Sequence, residues 1–259
     1  MRYRKGSEEH HCARLEENIS VSASSGIPAV YYSYRDSYQS VRLTAEYKGV
    51  IRIESMITAT GEQGELIQPV DGPILFRTRR ITDVASNLNE ACTGPTLLHI
   101  VGQDEDGFSV HLESILARIL RGRSVSELTR RTENYLRQNT HLLSTVSRDQ
   151  VNDLVDQMKS TKSAHRRAAV RELASYGSCV VPLLRSSLTR NDLDAEQRAR
   201  IQSLLASRTR VDEDTPSSLA QLLAVDREHW QILAKRMDQS QWLVANDHVM
   251  RCGLESLSP

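Results

Sequence analysis

The sequence predicts an α+β protein, a small β-rich N-terminal part followed by a predominantly α-helical stack. Two patterns carry that reading. Between Ala29 and Thr58 the chain is rich in tyrosine and β-branched residues, and in VRLTAEYK the apolar and polar positions alternate with the period of a half-buried strand. From Leu112 onward apolar residues recur at i, i+3 and i+4, in runs separated by helix start and stop signals. Composition agrees: 39% hydrophobic but only 5% aromatic residues call for a core of Leu, Ile, Val and Ala, as helix stacks have.

Taken in order, residues 1–27 read as a flexible N-terminal segment. Residues 7–17 could start a short charged helix, and Ile19 to Ile27 (ISVSASSGI) reads as a linker or loose edge. Residues 28–111 read as the β-rich domain. AVYYSYR, YQSVRLTAEY and GVIRIESMIT are three strands, with Lys48-Gly49 as a turn, and Leu66 to Arg77 adds a fourth. A short helix is expected over Thr82–Cys92. LLHIV and FSVHL then form a hairpin around GQDEDG.

Residues 112–259 read as the α-helical domain. Leu112, Ile115, Leu116 and Ile119 make one face, stopped at Gly122. Ser124 and Glu127 spell a capping box for the next helix. Ser147 and Gln150 spell another, with Val146 and Val151 placed as a hydrophobic staple. Near the C-terminus Thr215-Pro216, Asp226 and Asp238 each mark a helix start, and Gly253 marks an end.

The central stretch, 164–206, carries the clearest architectural pattern. Ala169, Leu173 and Tyr176 lie on one helical face, and Gly177 supplies a stop. Val181, Leu184 and Leu188 form a second face behind Pro182. Asp194 and Gln197 box a third helix with Ile201, Leu204 and Leu205. The first two runs, with Tyr-Gly between them and Val-Val-Pro-Leu-Leu after, resemble a HEAT-type helical repeat. The resemblance implies stacked helices; the apolar faces and the short connections at Ser175–Val180 and Thr189–Leu193 predict antiparallel neighbours in which Leu173, Val181, Leu184, Ile201 and Leu204 share a core, with Arg166, Arg167, Arg198 and Arg200 mainly outside it.

Net charge is zero, from 33 basic and 33 acidic residues, but residues 159–210 hold 11 basic against 4 acidic groups. Lys162, Arg166, Arg167 and Arg171 cluster at the head of the repeat-like helix, as a candidate surface for a polyanion or an acidic partner. No aromatic residues interleave with the arginines for base stacking, so self-neutralisation within the fold is favoured over nucleic-acid binding. The four cysteines, Cys12, Cys92, Cys179 and Cys252, are scattered singly and read as reduced thiols of a cytoplasmic protein. No apolar run is long enough for a membrane span.

Several constellations invite a chemical reading. Glu8-Glu9-His10-His11-Cys12 has metal-ligand residue types, but adjacent histidines on a helix diverge by about 100°. Asp104, Asp106, Gly107 and Glu113 match four positions of an EF-hand-type calcium loop, but Gly102 stands where the first acid belongs and LLHIV reads as a strand where a helix is required, so a hairpin turn closed by Asp-Gly is the favoured reading. Ser109 and His111 would share a strand face, with no acid placed to orient the histidine. Cys179 lies near a helix start, where a thiol can be activated, yet Val180 and Val181 beside it suggest packing. There is no phosphate loop, no HExxH and no nucleophile elbow.

The expected function is therefore a non-enzymatic protein-interaction or scaffold module with an unknown protein partner and no cofactor. The alternatives are polyanion binding through residues 159–210, or an enzyme whose site is assembled from distant residues.

Overall fold

The computed structural model describes residues 15–24, 27–45, 49–79, 91–208 and 214–258. The first metal-ligand candidate, most of the helix expected over 82–92 and the turn residue Lys48 lie outside these. Seven strands among the described residues form one antiparallel sheet in sequential order: β1 (Glu16–Ser24), β2 (Ile27–Arg35), β3 (Gln39–Ala45), β4 (Ile51–Ile57), β5 (Gln63–Gln68), β6 (Ile74–Arg79) and β7 (Cys92–Gly94). Each pairs with the next, so the sheet is a meander whose edges, among the described residues, are β1 and β7.

Alternation sets the two faces. Tyr34, Val41, Ile53, Leu66, Ile74 and Phe76 point to one side and are buried. Three seven-residue helices cover that side: α1 (Leu97–Gln103), α2 (Glu105–His111) and α3 (Glu113–Ile119). Ile100, Val101, Phe108, Leu112, Ile115 and Leu116 from these helices complete a single apolar cluster with the strands. The other side carries a charge ladder, in which Arg52 and Arg77 flank Glu65 at 2.9 and 2.6 Å.

Two features of this unit differ from the sequence expectation. The hairpin read at LLHIV and FSVHL is the helix pair α1 and α2, because short apolar runs fit either period. Asp104 decides the matter: instead of turning a hairpin, its side chain accepts from the Gly107 amide at 2.9 Å and caps α2. The segment read as flexible within residues 1–27 contains β1, which pairs with β2 over its whole length. Its small serines hid an alternation of Ile19, Val21 and Ala23 with Asn18, Ser20 and Ser22.

Residues 1–125 and 126–259 form two compact units. The first therefore extends past the expected boundary at 111, since α1 to α3 close the core of the sheet. The second unit is helical: α4 (Val125–Gln138), α5 (Arg148–Gln157), α6 (Ser163–Ser175), α7 (Val180–Ser187), α8 (Ala195–Arg208), α9 (Pro216–Leu223), α10 (Arg227–Ala234) and α11 (Gln239–Arg251). Five of the start signals hold. Ser147 and Gln150 form the reciprocal box at α5, with bonds of 3.1 and 2.8 Å. Asp194 and Gln197 do the same at α8 with 2.7 and 3.0 Å. Thr215, Asp226 and Asp238 cap α9, α10 and α11.

In this unit α5 packs against both α6 and α7, and α7 packs against α8 and α9. Leu173, Leu184, Ile201 and Leu204 belong to one core, as expected, but Val181 is only half-buried and Val180 and Leu183 take its place. Gly177, at φ 71°, ends α6 and begins a single 3-10 turn that sets the phase of α7. The buried face becomes Val180, Leu183, Leu184 and Ser187. Gln197 adds a polar tie, donating to the Val155 carbonyl at 2.7 Å and fastening α8 to α5.

Candidate functional site

The first unit holds one connected polar cluster under its helices. Inner-face strand positions carry Gln39 on β3, Ser55 on β4 and Gly64 on β5, where the pattern otherwise asks for apolar residues. Gly64 leaves a hollow that the His111 ring fills: a Cβ there would lie 2.5 Å from His111 Cγ. Gly94 does the same under His99, where a Cβ would lie 2.3 Å from the histidine Cβ. Close approach of helix to sheet is thus bought by two glycines.

Gln39 is the hub. Its amide nitrogen donates to Ser55 Oγ at 2.7 Å and to the His111 carbonyl at 3.0 Å. Its amide oxygen accepts from Tyr34 at 2.8 Å and Ser114 at 2.9 Å. An amide nitrogen only donates, so Ser55 accepts from Gln39, and its oxygen also lies 3.1 Å from His111 Nδ1. His111 Nε2 faces Glu62 Oε1 at 3.8 Å. Burial lowers the His111 pKa, and the nearby Glu62 carboxylate offsets part of that.

A serine, a histidine and an acid in a row have the composition of a nucleophilic triad, but not its access. Ser55 is 4% exposed and its oxygen is already occupied by the Gln39 amide, whereas a nucleophile must meet its substrate. The arrangement is chemically suited to fastening α2 and α3 to the sheet. Ser109, read beside His111, is exposed on α2 while His111 is buried, so the structure does not bring them together. The signal that could have found the cluster was in the strands: polar or glycine residues at positions whose period-two neighbours are Val41, Ile53, Ile57 and Leu66.

The calcium-loop reading fails on backbone grounds. The span from Gly102 to Glu113 is the end of α1, all of α2 and the start of α3, with no loop to wrap a cation. Among the described residues no group of three or more His, Cys, Asp or Glu side chains could hold a metal ion. Cys179 is buried, its thiol directed at the Tyr176 carbonyl at 2.9 Å. In the second unit the Ala224 carbonyl accepts from Trp230 Nε1 at 3.0 Å and His248 Nε2 at 2.8 Å. Burial pushes the Cys252 thiol next to that histidine up to about 11.

The four basic residues singled out at α6 do not form one surface. Arg166 turns inward, donating to the carbonyls of Ser160 at 2.8 Å and Thr161 at 3.2 Å, with Glu196 at 3.9 Å. Lys162 is exposed on the same side as Arg166, one turn earlier. Arg167 and Arg171, four residues apart, project together from another side. Of their neighbours, Lys159 bonds the Asp192 carbonyl, Arg190 pairs with Asp156 and Asp192, Arg198 binds the carbonyls of Leu188 and Arg190, and Arg200 pairs with Glu196. Comparison with known protein families, curated proteins and solved structures finds no match to this chain.

Proposed function

We propose that the protein is a non-enzymatic interaction module whose helical unit docks an acidic segment of a protein partner on the outer side of α6. The observation that supports this most is the division of the basic residues. Arg166, Arg190, Arg198 and Arg200 are engaged by carbonyls and carboxylates of their own unit, whereas Arg167, which donates to the Ser163 hydroxyl at 3.3 Å, and Arg171 share the outer side of a helix that buries only Ala169 and Leu173. A narrow pair of guanidinium groups, with Lys162 nearby, suits forked bonds to carboxylates. It is too small to neutralise the 6–10 or so phosphates that firm duplex binding draws on. The HEAT-like character of residues 164–206 belongs to this reading, as does a cytoplasmic setting, which the free thiols Cys92, Cys179 and Cys252 favour.

The test is affinity capture with the wild-type chain and with Arg167→Glu/Arg171→Glu, whose thermal melt should be unchanged. The charge-reversed chain should lose a partner that the wild type retains. Steeply salt-dependent binding to heparin or duplex DNA would favour the polyanion reading instead. Turnover of a defined substrate that Ser55→Ala abolishes would make the protein an enzyme.

A further inference from the structure

We infer that β1 is a dimerisation strand, pairing antiparallel with β1 of a second copy of this chain. The motivating observation is an edge without the usual protection. β1 is nine residues long, among the described strands it pairs with β2 alone, and from Leu15 to Ala23 every residue is exposed. Ile19 is 67% and Val21 65% exposed. Natural edge strands are ordinarily short, bulged, or guarded by charge or proline; β1 carries charge at its first two residues, Glu16 and Glu17, and residues 18–24 contain none of these devices.

Pro28 fixes which backbone groups the edge offers. It stands opposite Ala23 in the β1–β2 ladder and has no N–H to give. Ala23 and Pro28 are therefore a non-hydrogen-bonded pair, and by alternation Glu17, Ile19, Val21 and Ala23 direct their N–H and C=O groups away from β2, toward the free edge. Those are four consecutive outward-facing positions ready for a ladder.

The sequence selects a second copy of itself as the occupant. With a two-fold axis at Ser20, residues 16–24 pair along their whole length. Ile19 of one copy stands opposite Val21 of the other, Glu17 opposite Ala23, Asn18 opposite Ser22 and Glu16 opposite Ser24. Apolar meets apolar and no acid faces an acid. Of the two carboxylates at the start of the seam, Glu17 is neutralised at home: it accepts from the Tyr32 hydroxyl and lies 3.4 Å from Arg118 Nη1. Arg118 in turn stacks over the Tyr34 ring at 4.6 Å. Tyr32 and Val30, the β2 neighbours of Ile19 and Val21, extend the apolar strip on the same face. The contact is isologous, so it closes at two copies.

The register makes the test specific. Sedimentation of the full chain should show a concentration-dependent dimer. Val21→Pro removes an outward N–H and leaves the β1–β2 bonds intact, so the chain should keep its circular dichroism and melt while self-association weakens about tenfold or more. Val21→Lys and Ile19→Glu should each be monomeric alone and should form a heterodimer when mixed, because the two altered positions face one another across the axis. A wild-type chain that stays monomeric at about 100 µM, far above a micromolar Kd, overturns the proposal, including when a strand from another protein binds the edge. A dimer that survives Val21→Pro overturns it too, since the interface would then lie elsewhere.

Discussion

At the scale of single residues, Gly64 and His111 are one device. The glycine is required by the ring above it, and the ring is held by Ser55 and by the Gln39 contact to its own carbonyl. Gly64→Ala should destabilise the protein by roughly 1–3 kcal/mol, the usual cost of overpacking a filled core. Adding His111→Ala should return part of that loss, because the methyl then enters the space the ring vacates. Urea titration of the two single variants and the double variant measures the coupling. Strictly additive losses would mean that the ring and the glycine do not constrain each other. Little of this was legible beforehand. Strand alternation placed Val41 correctly, but nothing in the string showed that the polar intruders at Gln39 and Ser55 would meet a histidine 72 and 56 residues away.

At the scale of elements, local chemistry was the readable part. Caps at Ser147, Asp194, Thr215, Asp226 and Asp238 are short-range bonds between a side chain and an amide a few residues on, so the sequence alone contains both partners. Phase was less readable. VVPLL offers two helical faces one residue apart, and the turn after Gly177 selected Val180 over Val181. Leu184 lies on both faces and is fully buried. Leu184→Ala should cost about 2–5 kcal/mol, whereas Arg167→Ala, at an exposed position of α6, should change stability by less than about 0.5 kcal/mol. Thermal melts that found the two equally harmful would show that the face of α7 has been assigned wrongly. The strand assignment at LLHIV failed for a related reason. Seven-residue helices are too short to display a period, and only the Asp104 cap, a feature shared with turns, distinguished the two outcomes.

At the scale of the whole molecule, each unit encloses a histidine whose pKa burial lowers. His111 is fully buried under the sheet's helices, and His248 is fully buried beside Trp230, giving its Nε2 proton to the Ala224 carbonyl. Burial lowers both pKa values below the ordinary imidazole value, with the Ala224 bond opposing the shift at His248 and Glu62 opposing it at His111. The sign follows from proton binding. Between the lowered folded pKa and the unfolded value of about 6.5, the unfolded chain holds more protons than the folded one. Stability is therefore complete above about pH 6.5 and falls as the pH drops through that value toward the lowered folded pKa. Melting temperature should be flat from about pH 8 to 7 and decline from about pH 6.5 downward, before most carboxylates titrate. His248→Gln keeps a donor near the Ala224 carbonyl without a titratable ring, and should flatten that decline while leaving the part that belongs to His111. A wild-type melt that stayed level down to about pH 5 would mean that neither ring is held neutral by its surroundings.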